Sequence, residues 1–317
     1  MKMHRRRASL GWLAAIVAVL ALIAVPLAAQ SRTEATPAAR SAFMTPWGDP
    51  DLQGLWSTLD RTPFQNADPA IEAAIDEAEK SRYGADGRGD GFGGGMSSID
   101  FTPRSPRRPG FRVVDPPDGR VPIKPEEVQY QIDRRGVTRA MGDHWKNHIP
   151  LVRCLSVGFA LSGVYRLLQS PGYVVILSER IHDARFIPMD GRSHLNPAIR
   201  QWNGDSRGRW EGQTLVVETT NFSDGGEENG GGRQTARLRV VERFTRVDAT
   251  TLQYEATFED PDVFTRPWTY RQPHIAAPKY VMYEYACHEG NRRYMEGALR
   301  QGRLRDAEES AKAKKTN

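Results

Sequence analysis

The segment SERIHDARFIPMDGRSHLN, from Ser178 to Asn196, places two histidines, two aspartates, three arginines and one glutamate within nineteen residues. An imidazole such as His182 can give or take a proton near neutral pH, and a guanidinium such as Arg185 can hold a developing negative charge. A carboxylate of similar interest is Glu242 in RLRVVERFTRV, because alternation puts it on the same face as Leu238, Val240 and Phe244. An unpaired charge among apolar neighbours is costly, so Glu242 is expected either to pair with an arginine or to be kept neutral. These three residues, His182, Glu242 and Arg185, form the candidate acid/base set. A second set, His194, Arg200, Trp202, Arg209 and Trp210, lies in and just before RQWNGDSRGRWEG. Guanidinium forks and indole faces together suit a carboxylate or a sugar, although arginine stacked on tryptophan is also common on the outside of a sheet.

Other chemistries lack their spacing. The histidines show no HExxH, HxH or CxxC pattern, so no metal site is expected. The string GDSRG at Gly204 to Gly208 fits G-x-S-x-G, but the parallel sheet that would carry a nucleophile elbow is missing, and neither glycine-rich run follows a strand and opens a helix as a phosphate loop would. No cofactor is expected.

The elements that must position these residues are strands. After residue 150 the chain becomes a succession of short Val-, Tyr-, Phe- and Thr-rich runs separated by QSPGY, EGQT and VDATT. Connections this tight join antiparallel neighbours, which predicts a β-meander that closes into an up-and-down barrel or a strongly curled sheet. The run YVVILSERIHDARFIPM reads as a strand to about Glu179, a bend, and a second strand through Pro188. On the second strand His182, Ala184 and Phe186 share one face and Asp183, Arg185 and Ile187 the other, so either His182 or Arg185 faces inward. Leu252, Tyr254, Ala256 and Phe258 share one face of the strand after Glu242, and TLVVETTNF reads as covered on both faces.

The N-terminal third positions less. Residues 1–29 read as an export signal, with Lys2 and Arg5 to Arg7 before the uncharged Leu10 to Val25; an uncleaved anchor and a twin-arginine signal are the alternatives. The signal carries four of the 44 basic residues, leaving 40 Lys plus Arg against 39 Asp plus Glu, which removes any charge-based case for nucleic acid. Residues 30–43 read as a disordered tether. Residues 44–150 are expected to wrap the barrel with a first strand, a helix from Asp68 stopped by Gly84, a glycine-rich loop, the proline-rich 101–125, and a second helix from Pro125 to Arg135. The barrel core spans 151–291, and 292–317 forms a C-terminal helix and polar tail. Cys154 and Cys287 are the only cysteines, and export to an oxidising compartment favours a disulfide; a reactive or metal-binding thiolate beside His288 is the rival.

Two resemblances add to this. The Gly54-Leu55-Trp56 triplet at the start of the first strand is similar to the way lipocalin-type barrels begin. The strings TPWGDPDLQGLW, PGYVVILSERIHDARFIPMDGR, GDSRGRWEGQTLVVETTNF, VERFTRVDATTLQYEATFEDP and YEYACHEGN together resemble an uncharacterised family of exported bacterial proteins, over most of Thr45 to Asn291. That resemblance implies a secreted or periplasmic, mainly β protein, and transfers neither an activity nor a site residue. The glycine-rich 84–95 departs from it.

The sequence thus predicts an exported, mainly β, lipocalin-like barrel holding a small organic ligand, anionic or sugar-like, in a polar-lined cavity, with no stable membrane span once the signal is removed. The alternative is a cofactor-independent lyase, isomerase or hydrolase using Glu242 or His182 as base, with Arg185 or Arg209 stabilising charge. A structural role at the envelope is a third reading.

Overall fold

The computed structural model of the chain describes residues 43–66, 70, 107–130, 153–155, 163–229 and 232–316. The segment read as an export signal, the expected tether apart from Phe43, the glycine-rich loop and, apart from Ala70, the helix expected after Asp68 lie outside the described residues.

The strands in chain order are β1 (Gly54–Ser57), β2 (Val113–Asp115), β3 (Val164–Ser170), β4 (Tyr173–Ser178), β5 (Ala184–Pro188) and β6 (Asp205–Glu211). They continue with β7 (Thr214–Thr220), β8 (Gly226–Asn229), β9 (Gly232–Gln234), β10 (Arg239–Arg246), β11 (Thr251–Glu259) and β12 (Trp268–Ala276). Nine of them form one antiparallel sheet in the order β5-β4-β3-β1-β12-β11-β10-β7-β6, with β2 added beside β12, and β8 and β9 form a separate hairpin. The order is a meander whose first long-range pairing, β1 with β12, joins its beginning to its end. The sheet is therefore a nearly closed up-and-down barrel, as the tight hairpins predicted. The strand expected in the N-terminal wrap is part of the barrel wall, since β1 lies between β3 and β12.

Among the described residues the ladder is interrupted in two places. Strands β5 and β6 end the hydrogen-bonded order and share no backbone pairing. They meet through side chains: a Cβ added at Gly208 of β6 would lie 2.9 Å from Ile187 Cγ2 and closer still to the Met189 thioether. Only glycine lets the two edges approach this closely. The second interruption is along β12, whose β1 partners are residues 275 and 276 and whose β2 partners are residues 269 and 270. The amide of Arg271 donates to the Arg112 carbonyl at 2.8 Å. Pro273, two residues on, faces the same edge in the interval between β2 and β1, where no ladder needs the N–H that proline lacks.

Alternation fills the interior. Val240, Glu242 and Phe244 are all fully buried, as are Leu252, Tyr254, Ala256 and Phe258, in the phase the sequence predicted. Leu215, Val216 and Val217 are likewise buried, so β7 is covered on both faces. Trp56 lies in the core with its indole N–H donating to the Leu52 carbonyl at 3.0 Å, and the Arg246 guanidinium lies over its ring.

Outside the barrel, residues 125–130 are helical, which is the described part of the helix expected from Pro125. The C-terminal helix is Cys287–Thr316. Cys154 and Cys287 form a disulfide with Cα atoms 5.9 Å apart, which replaces the thiolate reading. Among the described residues, no helix is long and apolar enough to cross a membrane.

Candidate functional site

The inward face of β10 carries Glu242 opposite Val217 of β7 and Ala256 of β11. Arg185 reaches it from β5. Its Nη2 donates to Glu242 Oε2 at 2.6 Å and its Nη1 to Oε1 at 3.2 Å, while the Tyr254 hydroxyl donates to Oε1 at 2.9 Å. Glu242 has no exposed surface, so a bidentate guanidinium is the partner that makes its burial tolerable. Burial opposes the charge on Arg185, but the adjacent Glu242 carboxylate more than offsets this and raises the guanidinium pKa. Arg185 Nη2 also reaches Ser206 Oγ of β6 at 3.4 Å, and Ser206 bonds Thr219 Oγ1 at 2.9 Å. The arginine therefore spans the β5/β6 seam.

The polar groups continue across the interior. The Tyr254 ring stacks on His274 with centroids 4.7 Å apart, and Tyr270 packs at 5.7 Å from Tyr254. His274 Nδ1 lies 2.8 Å from the Tyr165 hydroxyl, and its Nε2 lies 3.0 Å from Gln272 Nε2. Gln272 is oriented by Arg112, whose Nη1 donates to its Oε1 at 2.8 Å, so the amide nitrogen faces the imidazole and donates. His274 must then accept at Nε2 and carry its proton on Nδ1, donating to Tyr165. Burial pushes its pKa down to about 3, with Asp60 opposing, so the ring is neutral. Burial also raises the pKa values of Tyr165, Tyr254 and Tyr270, with Glu242 adding to each, so these phenols remain donors. One buried polar chain thus runs from Arg185 at the seam to Arg112 in the β1/β2 interval.

The structure separates His182 from this chain. His182 belongs to a 3₁₀ turn, Arg180–His182, in which Ile181 and His182 both have φ near +58° (58° and 57°). Its side chain is exposed, and its Nε2 accepts the Tyr285 N–H at 3.0 Å. The regular-strand phasing started one turn too early: β5 begins at Ala184, and Arg185 and Ile187 face in while Phe186 faces out. Glu179, in the same turn, accepts from the Tyr280 hydroxyl at 2.8 Å and from the Tyr283 N–H at 2.9 Å, so the turn fastens the segment that leads into the C-terminal helix.

The set around RQWNGDSRGRWEG does not converge on one pocket. Arg209 is exposed on β6 and pairs with Glu211 at 2.7 Å. Trp210 packs half-buried against the core, and Trp202 offers its carbonyl to Gln234 Nε2 at 3.0 Å. Arg200 donates to the Phe222 and Ala236 carbonyls, at 3.2 and 2.8 Å. His194 Nδ1 lies 3.0 Å from Asp205 Oδ2, next to Arg207, whose Nη1 donates to Asp205 Oδ1 at 2.6 Å. Asn221 Nδ2 donates to the carbonyls of Leu195, Asn196 and Ile199, holding the β5–β6 loop in place. These contacts make the loop a built part of the seam.

Sequence reasoning missed Arg112, Tyr165, Gln272 and His274. The signal for two of them is present: in WTYRQPHIA, Trp268, Tyr270, Gln272 and His274 share parity, although the run RPWTYRQ reads in the sequence as a strand that ends at Gln272, before Pro273. Among the described residues, no cluster of three or more His, Cys, Asp or Glu side chains could hold a metal. Comparison of the chain with protein-family models, curated proteins and solved structures gives no match in any of the three.

Proposed function

We propose that this chain is an exported protein that binds a small hydroxyl-bearing or anionic organic molecule through the polar interior of its barrel, reached at the β5/β6 seam. The observation that carries this reading is the position of Arg185, which touches buried Glu242 on one side and Ser206 across the unpaired seam on the other. A buried ion pair adds little stability over apolar packing of the same volume. Its presence beside three phenols and a neutral imidazole, where a barrel needs only apolar side chains to be filled, fits recognition better than structure. A ligand oxygen at the seam competes for the same guanidinium fork and for the Ser206 and Thr219 hydroxyls. The disulfide and the leader-like N-terminus support export.

Binding is favoured over acid/base catalysis by geometry. Both oxygens of Glu242 already accept hydrogen bonds, and His182 is exposed in a turn. The test is a panel of small carboxylic acids, hydroxy acids and monosaccharides added to the mature protein. A saturable rise in Tm with at least one chemical class is expected, and a panel in which no compound raises it rejects the reading.

A further inference from the structure

The inner end of the polar chain carries a second cluster, independent of the seam. Asp60 has a fully buried side chain and lies between two arginines. Arg108 Nη2 donates to Asp60 Oδ2 at 2.9 Å and to the Arg271 carbonyl at 3.2 Å. Arg112 spends its Nη1 on the neutral Gln272 amide, and its guanidinium lies over the Phe64 ring at 5.2 Å. Among the described residues, two guanidinium charges therefore share the Asp60 carboxylate, and His274 behind them is uncharged.

The Nε–H groups of Arg108 and Arg112 are both buried, and among the described residues neither has an acceptor within hydrogen-bond reach. Buried donors in folded proteins are nearly always paired, so two adjacent exceptions on like-charged side chains call for an external acceptor. Burial lowers the Arg112 pKa and Arg108 lowers it further, against the pull of Asp60 and Tyr270. An added negative charge relieves both effects. The Arg108 side chain is 34% exposed, which makes it the outward face of the cluster, with Arg112 behind it.

We propose that Arg108 and Arg112 form an oxyanion site in the β1/β2 interval, taking a carboxylate or phosphate group of a small molecule. A guanidinium presents Nε–H and one Nη–H side by side, the spacing of two oxygens on a planar or tetrahedral anion. One bound negative charge balances the second arginine, as Asp60 balances the first. Gln272 connects the site to His274 and so to the interior. Phe64 supplies an apolar wall beside it.

The experiment is calorimetric titration of the mature, disulfide-bonded protein with acetate, phosphate and sulfate at constant ionic strength. Saturable binding with Kd on the order of 1 mM or tighter is expected for at least one anion, weakened about tenfold or more in Arg112→Gln and in Arg108→Gln. Arg237→Gln, which removes an exposed pair with Asp262, leaves it unchanged. Preference for acetate identifies a carboxylate ligand, and preference for phosphate or sulfate a tetrahedral one. If Arg112→Gln does not fold, Arg108→Gln decides, since its side chain lies nearer the surface. Absence of saturable binding of all three anions to the wild type, or equal binding in the Arg108 variant, overturns the proposal. The seam reading survives that failure, because it depends on Arg185.

Discussion

Arg112 and Arg185 reach the interior of the same barrel through its two interruptions, and a buried chain of Glu242, Tyr254, His274 and Gln272 lies between them. Each break in backbone pairing is occupied by a guanidinium whose far end is polar, so wall geometry and interior chemistry are one feature of the fold.

The Arg185–Glu242 pair should show strong coupling. Arg185→Met leaves a carboxylate buried and uncompensated and is expected to cost about 3–5 kcal/mol, whereas Arg185→Met combined with Glu242→Leu recovers most of that loss. Urea denaturation of the two single variants and the double variant measures the coupling. Simple additivity of the single losses would falsify the pairing as the reason Glu242 is tolerated.

The His274 imidazole predicts an acid limb in stability. Its folded pKa, pushed down to about 3 by burial, lies below the ordinary value of about 6.5 expected in the unfolded chain. The unfolded state therefore takes up the proton first. The contribution is fully present above roughly pH 6.5 and is lost as the pH falls toward about 3, by at most about 1.4 kcal/mol per pH unit. His274→Gln cannot titrate, so its urea midpoints should vary less with pH in that window. Parallel profiles for the two proteins would show that another group sets the limb.

Gly208 should tolerate no side chain. Gly208→Ala directs a methyl group at Ile187 and Met189 and pushes the seam apart, at an expected cost of about 1–3 kcal/mol. Met189→Ala in the same chain should return part of this, because the Met189 thioether is the nearest atom. Thermal melts of the single and double variants make the comparison, and a Gly208→Ala variant as stable as the wild type would mean that the edges are not in contact.

The disulfide closes a loop with a sequence separation of 133. Replacing both cysteines by serine should lower stability by about 4–5 kcal/mol in the chain-entropy model. Denaturant midpoints of the oxidised wild type and the double serine variant read this directly. Equal midpoints would contradict a structural role for the bridge.

Much of this organisation was legible in the sequence, and the reasons differ by residue. The hairpins were readable because turn chemistry is local: QSPGY, EGQT and VDATT connect β3 to β4, β6 to β7 and β10 to β11. Glu242 was readable because period-two alternation placed it between Val240 and Phe244, and a buried carboxylate demands a partner. Its partner was not fixed by the same logic, since the bend before Ala184 resets the parity and His182 leaves the strand. Arg112 was hidden for another reason. It acts through a break in the wall that depends on how far β1 and β2 each extend along β12, a relationship between segments far apart in the chain. Pro273 reads in the sequence as the end of a strand, whereas its missing N–H is harmless in that same break.

Recognition of a ligand by Arg185 from within the seam depends on its guanidinium fork. The most direct measurement is calorimetric titration of the best compound from the panel into the wild type, Arg185→Lys and Arg237→Gln. Lysine keeps the charge but loses the fork, so affinity is expected to fall about tenfold or more in Arg185→Lys and to stay unchanged in Arg237→Gln. Equal affinity of wild type and Arg185→Lys would contradict the claim.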